Sequence, residues 1–189
     1  MLRLLPFAML GTALVASLVG CVPASAAGGA VASTRALIPR DERMAALFDD
    51  AISPTVIGLS LAGFAAGSDP ALVERTQQAE LIARVRVTTL SRDANGQRAR
   101  YVLTVRIEPN RLVDQGIAAK QLDLVVPEDS PSFSLIDNQE SFFRGARFVL
   151  FARRFGGQDG PELHWHAVAD TEEAARAIGV ARDLGISTN

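Results

Sequence analysis

The segment from Ala79 to Glu108 restricts the fold of this chain more than any other. Apolar and polar residues alternate over Ala79–Leu90 and again over Arg100–Glu108, and Asn95-Gly96 lies between the two runs. A period of two places the apolar side chains on one face of a strand, and Asn-Gly is a strong signal for a tight hairpin turn. We therefore predict an antiparallel hairpin with one buried face, whose second strand ends at Pro109.

The remaining secondary structure is predicted from periodicity, caps and breakers. Further strands are predicted over 55–61, 122–126, 146–155 and 162–169. Helices are predicted over 40–52 with Asp41 as N-cap, over 70–78 after Asp69, and from Asp170–Glu173 to Gly185, with short helical turns within 111–121 and 138–143. The packing face of the last helix is predicted to contain Ala174, Ile178, Ala181 and Leu184. The chain is expected to be an α+β protein with five to six mostly antiparallel strands, flanked by N- and C-terminal helices.

The first 20 residues are typical of an export signal. Arg3 is their one charged residue, and the run that follows is uncharged and apolar but short for a membrane-spanning helix. Two cleavage patterns follow. Ala24-Ser25-Ala26 fits an ordinary secretory cut, whereas Leu18-Val19-Gly20-Cys21 resembles the lipobox of bacterial lipoproteins.

The lipobox interpretation is favoured because Cys21 is the only cysteine of the chain. An unpaired thiol in an exported protein is reactive, and lipidation would consume it. The resemblance implies that Cys21 carries diacylglycerol and an acyl chain such as palmitate. The protein is then expected to be held to a membrane through its lipid anchor, in the bacterial cell envelope, on the outer membrane of a Gram-negative cell.

The predicted organisation is a signal peptide at 1–20, a lipidated and flexible tether at 21–39, and one folded domain at 40–185. Loss of Arg3 with the signal changes the formal charge from −2 to −3. An exported, acidic domain is not expected to bind nucleic acid, although five arginines can share one face of the sheet. These are Arg84, Arg86, Arg98, Arg100 and Arg106.

The strand segments AELIARVRV, YVLTVRIE, LDLVVP and GARFVLFARRF are similar to those of the netrin/TIMP-like OB barrel. This resemblance implies an OB-like β-barrel that acts as a binding module. The chain differs from animal members of that family because it has no disulfide framework, so inhibition of a metalloprotease through an N-terminal cysteine is not expected. The chain also resembles bacterial lipoproteins that end in a similar HWH segment and helix.

His164-Trp165-His166 is the sharpest polar motif. On a strand, His164 and His166 share one face, and they can ligate zinc or copper if a third ligand such as Glu162 or Asp170 joins them. The alternative places Trp165 in the core and both histidines at the surface, and it is favoured because no known metal-binding spacing is present. The paired carboxylates, including Asp49-Asp50, require no catalytic role.

These observations favour a non-enzymatic, lipid-anchored envelope protein that needs no cofactor. Its OB-like barrel would be a binding or structural module for a protein or glycan partner. The alternative is an extracytoplasmic metal-binding protein that uses His164 and His166.

Overall fold

The structure is a computed structural model that describes residues 37–59, 69–94 and 98–186. Cys21, the predicted signal peptide and the Asn95-Gly96 turn lie outside these residues. The strands are β1 (Ala51–Ile52), β2 (Leu81–Asp93), β3 (Arg100–Asp114), β4 (Gln121–Pro127), β5 (Arg147–Gly157) and β6 (Gly160–Ala169). The helices are α1 (Glu42–Leu47), α2 (Pro70–Gln78), α3 (Pro131–Asn138), α4 (Glu140–Phe143) and α5 (Glu172–Ile186), with a 3₁₀ turn at Pro54–Ile57.

The six described strands form one mixed sheet in the order β1-β6-β5-β2-β3-β4. All pairs between the five long strands are antiparallel, and the two-residue β1 runs parallel to β6. Strands β2, β3 and β4 are neighbours in chain order, and β5 returns through α3 and α4 to lie beside β2, which is a Greek key. The sheet curves into a half-barrel, which confirms the α+β class and the mostly antiparallel strands.

Each face of the sheet packs against a different set of helices, and the outer face is covered only in part. We call the face that carries Val85, Leu103 and Phe148 the inner face. Its side chains form one core with α3 and α4. The opposite, outer face carries Ile82 and Phe151, which pack beneath α1, α2 and α5 in a second core. Burial of apolar area on both faces at about 25 cal/mol per Å² is the main stabilising contribution in a domain without disulfides.

The predicted hairpin is confirmed, but its second strand is longer than expected. The paired residues of β2 and β3 run from Asp93↔Arg100 to Leu81↔Asp114, so β3 continues past Pro109. Between Val85↔Ile107 and Ala83↔Arg111 the register shifts, and Pro109 falls in this irregular segment. A bulge leaves a residue unpaired, so the missing N–H of proline costs no ladder hydrogen bond there. The helical turn expected within 111–121 is wrong, because residues 111–114 belong to β3 and no helix lies in the described residues between β3 and β4.

The N-terminal helix begins as predicted and ends early. The Asp41 carboxylate accepts a hydrogen bond from the Met44 N–H at 2.8 Å, but α1 ends at Leu47. Ala51 and Ile52, predicted to continue the helix, form β1 instead. The reason is long-range: β1 pairs with β6, and the Ile52 N–H donates to Ser132 Oγ at 2.7 Å.

The predicted strand at 55–61 is wrong over its described residues, whereas the predicted C-terminal helix is confirmed except for one packing residue. The described part of the β-prone run 55–61 lies in the 3₁₀ turn, which Gly58 closes with a positive φ of 78° that favours glycine. The C-terminal helix is capped by Thr171, whose hydroxyl accepts from the Ala174 N–H at 3.1 Å. Leu184, expected on the packing face, is 55% exposed.

Helix α2 is confirmed with its predicted bounds, and the Asp69 carboxylate caps it by accepting from the Ala71 N–H. None of the helices in the described ranges is long and apolar enough to cross a membrane.

Candidate functional site

Strand β6 presents the His164-Trp165-His166 motif as the alternation predicts. Trp165 is 3% exposed and packs into the inner core, so the two histidines share the outer face. Their side chains are 16% and 12% exposed. The histidines are therefore on one face, as expected, but they are mostly buried and do not lie at the open surface.

Each histidine is held by a carboxylate from the segment between α1 and β1. Asp50 Oδ2 accepts from His164 Nδ1 at 2.6 Å, and Asp49 Oδ1 accepts from His166 Nδ1 at 2.7 Å. An ionised carboxylate is only an acceptor, so each ring donates its Nδ1–H. Two consecutive aspartates thus bind two alternate histidines, a pairing between residues more than 110 positions apart.

Asp50 also forms hydrogen bonds with the backbone of Trp165. Its backbone N–H donates to the Trp165 carbonyl at 2.9 Å, and its Oδ1 accepts from the Trp165 N–H at 3.1 Å. Its φ of 53° is in the left-handed region, which Asp tolerates better than most residues because its short side chain can bond locally. Arg40 Nη2 lies 3.7 Å from Asp50 Oδ2, which places a cation beside this carboxylate. These hydrogen bonds of Asp50 therefore hold β6 beside the start of β1.

His166 lies beside an open groove of about 500 Å³. Burial lowers the pKa of His166; the Asp49 hydrogen bond opposes this shift, and the Arg75 cation reinforces it. A neutral His166 that donates Nδ1–H to Asp49 carries its lone pair on Nε2. The groove is also lined by Ser134, Asn138 and Gln139. The arrangement can orient a hydrogen-bond acceptor toward a ligand in this groove.

Lowering the pH from about 7 to about 5 is expected to destabilise the fold through His166. Its folded pKa lies below the ordinary value of 6.5, so the unfolded chain takes up a proton more readily. Stability from this group is full above about pH 6.5 and declines as the pH falls toward the folded pKa. Urea midpoints across this range should fall more steeply for the wild type than for His166→Gln, which cannot titrate. Parallel curves for the two chains would contradict this role of His166.

The predicted third metal ligands are only partly brought together. Glu162 Oε2 lies 3.6 Å from His164 Nε2, as the shared face predicts. The Asp170 carboxylate instead pairs with Arg84 at 2.8 Å. Within the described ranges, no group of three or more histidine, cysteine, aspartate or glutamate side chains is arranged to hold a metal ion. Cys21 lies outside those ranges.

A second candidate surface is the outer face of β3 and β4. Helices α1, α2 and α5 cover β5 and the start of β2, whereas Arg106, Gln121 and Asp123 on the outer face are exposed and Val125 is 40% exposed. Val125 is directly opposite Val102 in the β3–β4 register. This uncovered area of polar and small apolar side chains is called the β3–β4 outer face below.

The five arginines predicted to form a basic face divide into two groups. Three have acidic partners: Arg84 binds Asp170, Arg98 binds Asp129 and Arg100 binds Asp93. The other two, Arg86 and Arg106, lie opposite each other across β2 and β3.

Comparison with family models, curated proteins and solved structures found nothing that matches this chain.

Proposed function

We propose that this protein is a lipid-anchored, non-enzymatic binding module of the bacterial cell envelope, with an OB-like half-barrel that presents a surface to a protein or glycan partner. The main support is the uncovered β3–β4 outer face, where Val125 is 40% exposed beside exposed Arg106, Gln121 and Asp123. A sheet face left open by the surrounding helices is available for a partner.

The strand order supports the OB-like interpretation. The OB barrel is a five-stranded, partly open Greek-key barrel that binds ligands through its strand 2–3 face. If β2 is taken as the first strand of the barrel, β3 and β4 are the second and third strands. The fourth strand, β5, then lies beside β2, and the fifth, β6, lies beside β5. The β3–β4 outer face then corresponds to that ligand-binding face. Fold alone does not transfer function, so the surface itself must be tested.

The binding surface can be tested with a photo-crosslinking residue at Val125 in living cells. Val180 on α5 is the matched control, since it is 57% exposed and lies on another element. We expect crosslinked products from position 125 and not from position 180. Equal labelling at both positions, or none at 125, would show that the β3–β4 outer face is not the binding surface.

The anchor rests on the lipobox at Leu18–Cys21. The Cys21→Ser chain is expected to move from the membrane to the soluble fraction and to lose labelling by palmitate, because two or more acyl chains are needed for stable attachment. The Ala26→Gln chain, which removes a small residue that the alternative A-x-A cleavage pattern requires, should fractionate like the wild type. A Cys21→Ser chain that stays as membrane-bound as the wild type would disprove lipidation.

The alternative function is metal binding at His164 and His166. It is favoured by one observation: both Nδ1 atoms are held by carboxylates, the arrangement that commonly orients a metal-binding histidine through its other nitrogen. Metal analysis of the purified protein, with His164→Ala and His166→Ala, separates the two functions. Stoichiometric zinc or copper that both variants lose would favour the alternative.

A further inference from the structure

Three arginines form a row across the outer face. Arg86 of β2 lies directly opposite Arg106 of β3 and directly opposite Arg147 of β5. Residues in direct register share a face, with Cβ atoms about 5 Å apart. The row therefore crosses three neighbouring strands and ends at Gln121, which is opposite Arg106 on β4.

The charges around this row are not balanced. Arg147 pairs with Glu108 at 2.7 Å, and the neighbouring Arg84 pairs with Asp170 at 2.8 Å. The Asp123 carboxylate, one register step from Arg106, accepts from the Thr104 hydroxyl at 2.8 Å. Within the described ranges, neither Arg86 nor Arg106 has an acidic partner at ion-pair distance.

Two unpaired arginines in direct register reduce stability, because like charges opposite each other repel. An anion between the two guanidinium groups would remove this repulsion. Each guanidinium presents a planar set of N–H donors that fits a carboxylate or phosphate in two-point contact. The row is thus better suited to a bound anion than to the free protein.

The rest of the β3–β4 outer face indicates what carries the anion. Next to the arginines lie the hydrogen-bonding groups of Thr104, Asp123 and Gln121, and beyond them the apolar pair Val102 and Val125. A sugar presents hydroxyls and apolar C–H surface, and an acidic sugar adds a carboxylate. None of these residues has an aromatic side chain on which a base could stack, which disfavours single-stranded nucleic acid.

We propose that Arg86 of β2 and Arg106 of the adjoining β3–β4 outer face bind the carboxylates of an acidic glycan. This inference rests on the proposed binding function and names its ligand class. The hydrogen-bonding groups and the Val102–Val125 pair beside the arginines favour a sugar, which presents hydroxyls and apolar C–H surface together, over an acidic peptide.

The test uses the purified full-length protein and a polyuronate, with neutral dextran as the control polymer. The variant is Arg86→Gln/Arg106→Gln. The matched control is Arg98→Gln/Arg144→Gln, which removes the same charge from exposed arginines that have acidic partners. We expect polyuronate binding to weaken about tenfold or more in the first variant and to change little in the control, because only the first loses the charged hydrogen bonds.

Stability provides an independent readout. Arg86→Gln/Arg106→Gln should be at least as stable as the wild type, because the repulsion is relieved. A clear loss of stability would mean that these arginines stabilise the fold, and it would overturn the proposal.

Binding outcomes distinguish this inference from the function on which it rests. Equal polyuronate binding by both variants overturns the inference. Tighter binding to polyglutamate, oligothymidylate or phosphatidylglycerol vesicles assigns the face to another ligand and also overturns it. If crosslinking at Val125 succeeds in either case, the binding module stands and only its ligand class is wrong.

Discussion

The Asp50→Ala variant is expected to lose about 2–4 kcal/mol of unfolding free energy. The loss combines unsatisfied hydrogen-bond donors, a lost ion pair and backbone strain. His164 Nδ1 and the Trp165 N–H lose their acceptor, and Arg40 loses a nearby carboxylate. Alanine also has to adopt the φ of 53° that Asp50 holds, which costs about 1 kcal/mol. Equilibrium urea unfolding measures the change, and a loss below about 1 kcal/mol would contradict it.

Two variants at the same position separate these effects. Asp50→Gly removes the side chain, but glycine adopts the left-handed backbone without strain. Asp50→Gly should therefore be less destabilising than Asp50→Ala by the free energy of that strain. Asp50→Asn keeps one acceptor oxygen for the Trp165 N–H and tolerates the left-handed backbone, but it presents an NH2 group to His164 Nδ1 in place of the second oxygen, so it should be less destabilising than Asp50→Ala. A double-mutant cycle with His164→Ala should give a coupling of about 1–2 kcal/mol, since the two side chains are in direct contact.

The Arg75→Met variant is expected to lose about 2–3 kcal/mol. Arg75 is 5% exposed, its Nε–H donates to the Leu47 carbonyl at 2.6 Å, and its guanidinium carbon lies 5.9 Å from the Phe151 ring centroid. Methionine fills similar space but has no donor, so a carbonyl at the end of α1 loses its partner. Thermal or urea unfolding measures this change.

Arg75→Met has a second expected result that a purely structural role would not produce. Burial is the main cause of the lowered pKa of His166, and the Arg75 cation lowers it further. Removal of this cation should therefore make the loss of stability at acidic pH shallower than in the wild type. Arg75→Lys, which keeps the charge, should retain the wild-type pH dependence while it loses the Nε donor. Identical pH dependence in all three proteins would exclude this electrostatic effect.

The parts of the fold that local sequence determines were predictable. Strands β2 and β3 follow from strict alternation, and α2 follows from Asp69 and Pro70 at its start. Prediction was wrong where a distant partner decides the structure. Ala51 and Ile52 continue a helical spacing, yet 114 or more residues separate them from their β6 partners, and this pairing outweighs helix propensity.

The candidate site shows the same division. Alternation alone placed His164 and His166 on one face, with Trp165 on the other. Their partners Asp49 and Asp50 fall in the helix predicted over 40–52 and were assigned no role at the site, since no local pattern relates them to β6. The one signal that could have revealed them is the match of two adjacent carboxylates to two alternate histidines. That match becomes evident only once β1 is known to lie beside β6.

The hydroxyl of Ser132 has a consequence for assembly. It accepts from the Ile52 N–H and donates to the Ile52 carbonyl at 3.4 Å, and the serine is 1% exposed. An unpaired strand edge is a template for another chain, and very short or covered edges prevent this. The short β1 edge is thus closed by a side chain, and among the described strands β4 forms the other edge. Addition of a strand from a second copy of this chain is therefore disfavoured at Ile52.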